Sequence, residues 1–486
     1  MNQSQNEFSY SPSRLTSPIL WAFLLSIVYW IYLFFTTQME IKFDSIGYMA
    51  LGKVLSGGNW VEFFRAGPTR EPVYLLIVAA SIKLAELTSF AQPMILKVLQ
   101  LFILFLTQVL SFRILKSLNI HRNIAACAIL YIGFSPALVN SALSIYSEIA
   151  TYPVVLGIIF FLGLSWRNIQ KESPVDILSP SLGLGILCVV ITLTKGIFEV
   201  IVPALLIPFF VRGVVGWIKG NKKAVFHTFL SLSVVLFIFY SAIYGYKSLN
   251  QKYNGNFTLT DRGSWALYGN TARRVEPLTG KRFLSALAYI PGAGVCRKIF
   301  AKSECDFWSA NESDTIALTK WQELQNQGLS NKTKDQTFLK LTKKEFLKNP
   351  PQYALFFTFE GIKMLFWEST KIDSVIYPPF ISGLFDWELF KNGLRLLMFA
   401  MTSVALAYLL RFILMNRKSF FTLGDFPDGE ESTILTTIFF ISYFLLTYIF
   451  FHCFFFALTR YSFSIAPLFI ILIAFWIDRT FKSIAR

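Results

Sequence analysis

The chain has 486 residues and a formal net charge of +16, is 54% hydrophobic, and is only 15% charged. Soluble domains carry roughly 25% charged residues; the low charge, a mean hydropathy of +0.52 and many apolar runs of membrane length exclude an ordinary soluble globule. The runs are continuous rather than alternating, which excludes a membrane β-barrel and leaves an all-α polytopic membrane protein.

In a soluble protein the basic surplus would raise nucleic acid as a partner. Here cytoplasmic loops and anionic lipid account for it, so a membrane and no nucleic acid is expected. Met1–Ser17 is polar with Arg14 as its only basic residue. The run after it is of full membrane length, so a cleaved signal peptide is not expected. The first span is 18–37, after which Asp44 emerges. The next run, 72–89, is short and contains Lys83 and Glu86. Further apolar runs follow at 93–115, 123–141, 149–165, 181–196, 197–213 and 224–245. A polar segment, 246–351, precedes a mixed run at 352–367 and spans at 392–415, 433–455 and 462–478.

Short cytoplasmic loops are enriched in Lys and Arg. If 72–89 stays on the outer side, as a surface or re-entrant helix, every short basic cluster falls inside. These clusters are Arg113, Lys116 and Arg122; Arg167 and Lys171; Arg212, Lys219, Lys222 and Lys223; Arg411, Arg417 and Lys418; and Arg479, Lys482 and Arg486. Counting 72–89 as a crossing inverts them all. The expectation is therefore about ten spans, both termini cytoplasmic, and outer surface helices at 72–89 and 352–367. The long segment is then outside, where its 17 Lys and Arg against 9 Asp and Glu, a surplus of eight, suit an anionic surface or substrate. Within it, 314–349 reads as one amphipathic helix ended by Asn349-Pro350-Pro351. Three parts follow: an N-terminal transmembrane catalytic module, 1–245, with its first outer loop at 38–92; an exoplasmic part, 246–391; and C-terminal helices, 392–486.

Cys127, Cys188 and Cys453 lie in apolar runs and read as packing residues. Cys296 and Cys305 sit in the polar segment, where an exoplasmic location makes a disulfide plausible. No metal-ligand spacing is present.

With this topology, the remaining charges gather on one face. Asp44, Arg70 and Glu71 are in the first outer loop; Glu148 follows span three; Lys195 ends span five; Arg460 and Tyr461 lie between the last two spans. Ionisable groups beside lipid are costly and mark function. A carboxylate can take a proton from an attacking hydroxyl, and cations can hold a departing phosphate. The bland alternatives are a helix-capping Asp44, a Glu71 that suits the helix dipole beside Pro72, and an Arg460 that anchors at the interface. His452 reads as a satisfied span-end histidine.

The order of motifs resembles the GT-C superfamily of polyprenyl-phosphate-sugar-dependent glycosyltransferases, nearest the group of protein O-mannosyltransferases and lipid A aminoarabinose transferases. The pieces are Asp44-x-x-x-Tyr48; Arg70-Glu71-Pro72-x-Tyr74; Ser135-Pro136 and Ser147-Glu148; Leu193-Thr194-Lys195; Gly263 through Leu267-Tyr268-Gly269-Asn270; Asn349-Pro350-x-x-Tyr353; and Arg460-Tyr461 before Pro467. The chain departs from the family where Ser45 follows Asp44 in place of a second acid, and where Arg-Glu-Pro stands for Lys-Pro-Pro. The resemblance implies a GT-C-like bundle with outer juxtamembrane helices and one long exoplasmic loop. It implies Asp44 as the catalytic acid/base residue, Arg70, Lys195 and Arg460 on the donor phosphate, and Glu148 shaping the acceptor or metal region; with the charges read above, the expected site is Asp44, Glu71 and Glu148 as catalytic carboxylates and Arg70, Lys195, Arg460 and Tyr461 at the donor phosphate. It implies inverting transfer of a hexosyl or pentosyl group from a polyprenyl-phosphate sugar to a lipid, glycan or protein acceptor at the periplasmic or exoplasmic face, with a bacterial cytoplasmic (inner) membrane preferred. It leaves a divalent-metal requirement open and makes no other cofactor certain. The rivals are an O-antigen polymerase or ligase-like enzyme, which should use outer-loop Arg and His, and a lipid-sugar flippase or transporter, which should place ionisable groups at mid-membrane.

Overall fold

The computed structural model describes residues 17–67, 70–169, 174–260, 263–370, 374–416, 429–455 and 458–484. Arg14, Lys171, Arg417, Lys418 and Arg486 of the loop-charge pattern lie outside the described residues. The first half runs α1 (Pro18–Thr36), α2 (Asp44–Ser56), α3 (Trp60–Arg65), α4 (Pro72–Thr88), α5 (Gln92–Ser117), α6 (Arg122–Phe134), α7 (Pro136–Leu143), α8 (Glu148–Asn168), α9 (Pro174–Thr192), α10 (Phe198–Leu205), α11 (Ile207–Ile218) and α12 (Lys222–Asn254). The second runs α13 (Gly263–Arg274), α14 (Gly280–Tyr289), α15 (Ala293–Ile299), α16 (Lys302–Asp306), α17 (Ala310–Asn326), α18 (Asn331–Phe346), α19 (Pro350–Lys363), α20 (Pro379–Asp386), α21 (Glu388–Met415), α22 (Glu430–His452) and α23 (Ala466–Ile484). Among the described residues, nine helical stretches are long and apolar enough to cross a membrane, and the bent pair α6–α7 makes a tenth. The fold is all-α and polytopic.

α4, with 17 residues, is not among those stretches. One face of it, with Tyr74, Leu75, Val78 and Ser81, is buried, packed on α2 and α5. Helices α8 and Arg460–Ile484 form the centre, with 78% and 83% of their membrane-length windows buried against 22% for α1 and α21. Lipid is as apolar as the side chains, so helix contacts there rely on close packing and interhelical hydrogen bonds. Gln108 on α5 donates to Ser26 Oγ on α1 and to Ile129 O on α6, both at 2.9 Å. The buried Lys97 on α5 donates to the Phe34 and Thr37 carbonyls at the end of α1, where the unpaired carbonyls and the dipole favour a cation.

Three elements differ from expectation. The run 123–141 is two helices bent by 44°. Pro136 disfavours helical geometry at the residue before it, and Ser135 sits at φ −54°, ψ 118°. The freed groups are met by the fully buried Glu368, which accepts from Tyr131 Oη at 2.6 Å, Ser135 Oγ at 2.8 Å and Ala137 N at 2.9 Å. The span at 224–245 belongs to a 33-residue helix, α12. At ~1.5 Å per residue it is longer than a ~30 Å hydrocarbon core, and it runs on through polar residues to Gly255 in the left-handed region (φ +83°). The single helix expected at 314–349 is two, α17 and α18. Gly328 at φ +69° breaks it, and Ser330 caps the second by accepting from Thr333 N. Asn349 likewise accepts from Gln352 N, so the Pro pair opens α19 rather than only closing what precedes it.

A two-residue antiparallel pair ties the first loop to the stretch between α19 and α20, Gln38 facing Ile376 and Met39 facing Val375. Cys296 and Cys305 form a disulfide.

Candidate active site

The loops between these helices meet at one end of the bundle. Two scaffolds hold them. In the first, α13 crosses α17 so closely that a Cβ on Gly269 would lie 2.1 Å from Ser313 O; only glycine fits. Asn270 and Arg274 on the same helix donate to the Phe454 and Phe455 carbonyls, fixing the backbone just after α22. Arg273 donates to Asn270 Oδ1 at 2.8 Å and pairs with Glu360 at 3.2 Å, and Lys363 closes the network on Glu360 at 2.8 Å. In the second, Glu71 Oε1 accepts from Gly196 N at 2.6 Å and Val73 N donates to Leu193 O at 2.9 Å. That stitches the start of α4 to the turn carrying Lys195. A Cβ on Gly196 would stand 2.9 Å from the Glu71 carboxylate.

These contacts enclose a cavity of about 700 Å³ whose walls include Asp44, Arg70, Glu71, Glu148, Lys195, Arg460 and Tyr461. All seven residues singled out in the sequence therefore share one space, although they come from five separated stretches. Tyr48, Tyr146, Ser147, Glu199, Lys247, Asp314 and His452 line it too.

The cations and acids form distinct groups. Asp44 is held on both oxygens: Arg70 Nη2 donates to Oδ1 and Arg460 Nη2 to Oδ2. Asp44 is the first residue of α2, yet no side chain caps that helix. Its carboxylate faces the arginines instead, which removes the simple capping explanation. The preceding Phe43 is at φ +52°, a conformation costly for a non-glycine residue, of order 1–3 kcal/mol, and typical of functional loops. Burial pushes the Asp44 carboxyl up, but the charges and hydrogen bonds of Arg460 and Arg70 outweigh it and hold the pKa below the ordinary 3.8. The Nε of each arginine is buried without a protein acceptor, so each guanidinium keeps unspent donor capacity. Arg70 lies over the Tyr48 ring at 5.1 Å and Arg460 over Tyr146 at 5.1 Å; these aromatic walls orient both cations.

Lys195 is engaged separately, with Glu148 Oε1 at 2.9 Å and the Tyr461 ring at 5.2 Å. Glu71 is partly buried, and burial raises its pKa against the Gly196 hydrogen bond. Lys247 pairs with Glu199. Asp314 on α17 has a raised pKa from burial and from the nearby Asp44 charge, with Arg460 acting the other way. It went unnoticed in the sequence, where an acid in a polar helix carries no signal. His452 stacks on Tyr448 at 3.9 Å and its Nδ1 lies 3.0 Å from Tyr448 O, the satisfied role expected, though it also borders the cavity. Among the described residues no three His, Cys, Asp or Glu side chains converge as ligands, and both Asp44 oxygens are taken by guanidinium groups.

No family model matches the chain, and no curated protein matches it. Among solved structures, similarity is found to the apo crystal structure of ArnT from Cupriavidus metallidurans, at 12% identity and a TM-score of 0.37, over 95% of this chain and 78% of that one.

Proposed function

We propose that the chain is an inverting GT-C-type membrane glycosyltransferase that moves a sugar from a polyprenyl-phosphate donor to an acceptor at the outer face of the membrane. One observation carries this reading: a carboxylate held between two guanidinium groups in a cavity at the end of an apolar bundle. A lipid phosphate lies at that depth, and paired arginines suit its oxygens.

Before donor binding, Asp44 occupies both arginines and is a weak base. A donor phosphate competes for the same guanidinium groups. As they turn to it, Asp44 loses the interactions that hold its pKa down and can accept a proton. The acceptor oxygen then attacks the anomeric carbon from the face opposite the phosphate, its proton passes to Asp44, and the sugar–phosphate C–O bond breaks. That bond's electrons leave with polyprenyl phosphate, whose growing charge Arg70 and Arg460 stabilise. Lys195 and Glu148 form the wall beside Tyr461, and Glu71 acts as a positioning residue through Gly196.

The test is transfer of the natural lipid-linked sugar extracted with the protein. Asp44→Asn is expected to lose roughly 10²–10⁴-fold in rate, the usual worth of a general base, at unchanged expression. Arg460→Ala should raise the donor KM by about tenfold or more, the scale of a charge-assisted contact. Near-normal transfer by Asp44→Asn sinks the assignment.

A further inference from the structure

Beside the main cavity lies a second, of about 510 Å³, and the two share Thr258, Ser264, Trp265 and Asp335. The partition is built: Ser264 Oγ donates to Asp335 Oδ1, and Lys247 of the main cavity stands over the Phe257 ring of the second at 5.5 Å. Its walls come from the end of α12, the start of α13, α17 and the first turns of α18.

Resting on the glycosyltransferase reading, we infer that this second cavity is the acceptor subsite and that the group it takes is a saccharide. A pyranose ring has an apolar C–H face and a rim of hydroxyls. The cavity offers both complements. Trp265, Trp321 and Phe257 supply aromatic faces, with Trp321 38% and Phe257 41% exposed. Gln251, Asn331 and Gln336 supply exposed side-chain amides that both donate and accept. The volume falls within the range of small-ligand sites, roughly 300–1,000 Å³. An acyl chain would strand those amides. A peptide acceptor commonly adds to a strand edge or lies in a helix groove, whereas this wall joins aromatic and amide side chains with Lys332, Asp335 and Lys334, whose Nζ lies 4.5 Å from the Trp321 ring centre. The contrast lies at the α11–α12 junction, where a third cavity is walled by Trp217, Val225, Phe226, Phe229 and Leu230 and suits lipid. A saccharide seated against Trp265 would project a hydroxyl across the shared wall toward Asp44 and Asp314.

The experiment uses the full chain in lipid nanodiscs prepared without sugar-headgroup detergent, which would compete. Maltotetraose and chitotetraose, each free and on an alkyl chain, are titrated by saturation-transfer NMR, with undecaprenyl phosphate as a separate probe. At least one saccharide should bind. Trp321→Ala and Phe257→Ala should each weaken it by about tenfold, as expected for loss of an aromatic face, and leave undecaprenyl phosphate binding unchanged. Trp321→Phe should restore it, which a merely misfolded variant would not permit. Tighter binding of the alkylated form assigns the headgroup of a glycolipid; equal binding assigns a free glycan. Absence of any saccharide signal, or a signal that survives both alanine variants, overturns the subsite while undecaprenyl phosphate still binds. Failure of undecaprenyl phosphate to bind the wild-type chain overturns the donor reading instead.

Discussion

At the residue scale, the conflict to resolve is that Asp44 is the best-placed base and also a poor one, since two arginines hold its pKa below 3.8. The competition argument gives this a measurable sign. Asp44 must be ionised to act. In free enzyme the acid limb, read from kcat/KM, should therefore fall below pH 3.8. In the complex, arginines turned to phosphate no longer lower it, and burial, which acts upward, remains. The acid limb of kcat should then lie at higher pH than that of kcat/KM. Coincident limbs would mean that the arginines stay on Asp44, and Asp314, whose carboxyl burial raises, would be the stronger candidate for the base. The residues themselves were largely legible because charge beside lipid is rare enough to stand out. Their pairings were not: nothing local in the sequence says that Arg70 and Arg460 share one carboxylate across 390 positions, or that Lys195 chooses Glu148.

At the element scale, the apolar spans were legible because the bilayer imposes a length and composition on each one separately. The polar segment has no such constraint. Its order comes from contacts such as Gly269 against Ser313 and Arg274 against Phe455, and amphipathic pattern alone ran two helices together through Gly328. The bend at Ser135 was not expected, although Pro136 is there to cause it, and the carboxylate that satisfies it, Glu368, lies 233 residues away. The Gly269 contact carries a prediction. Gly269→Val must push α17 away, because the clashing atom is backbone. Overpacking of this kind costs about 1–3 kcal/mol and should lower the thermal midpoint. Since the Asn270 and Arg274 bonds hold the backbone just after α22, transfer should fall further than the loss of folded protein accounts for. A variant with reduced stability but full specific activity would separate α13 from the site.

At the scale of the whole molecule, the proposal that the cavity opens on the outer face rests on two separate arguments. The short loops opposite the cavity carry basic residues, with Lys222 and Lys223 at the start of α12, and positive loops stay cytoplasmic. The segment that walls the cavity carries the Cys296–Cys305 disulfide, which persists in oxidising compartments. Both support the proposed outer side. A single cysteine introduced as Gly280→Cys, on the cavity side, should therefore react with a membrane-impermeant maleimide in intact cells, and Lys222→Cys should react only after permeabilisation. The background is manageable: Cys188 and Cys453 are buried and only Cys127 is exposed, so Cys127→Ser precedes the labelling. Gly280 has open space where a Cβ would stand, so that variant should fold normally. The opposite pattern would put the cavity, and any sugar donor that reaches it, on the cytoplasmic face. That would sink the outer-face reaction while leaving the Asp44–arginine geometry intact.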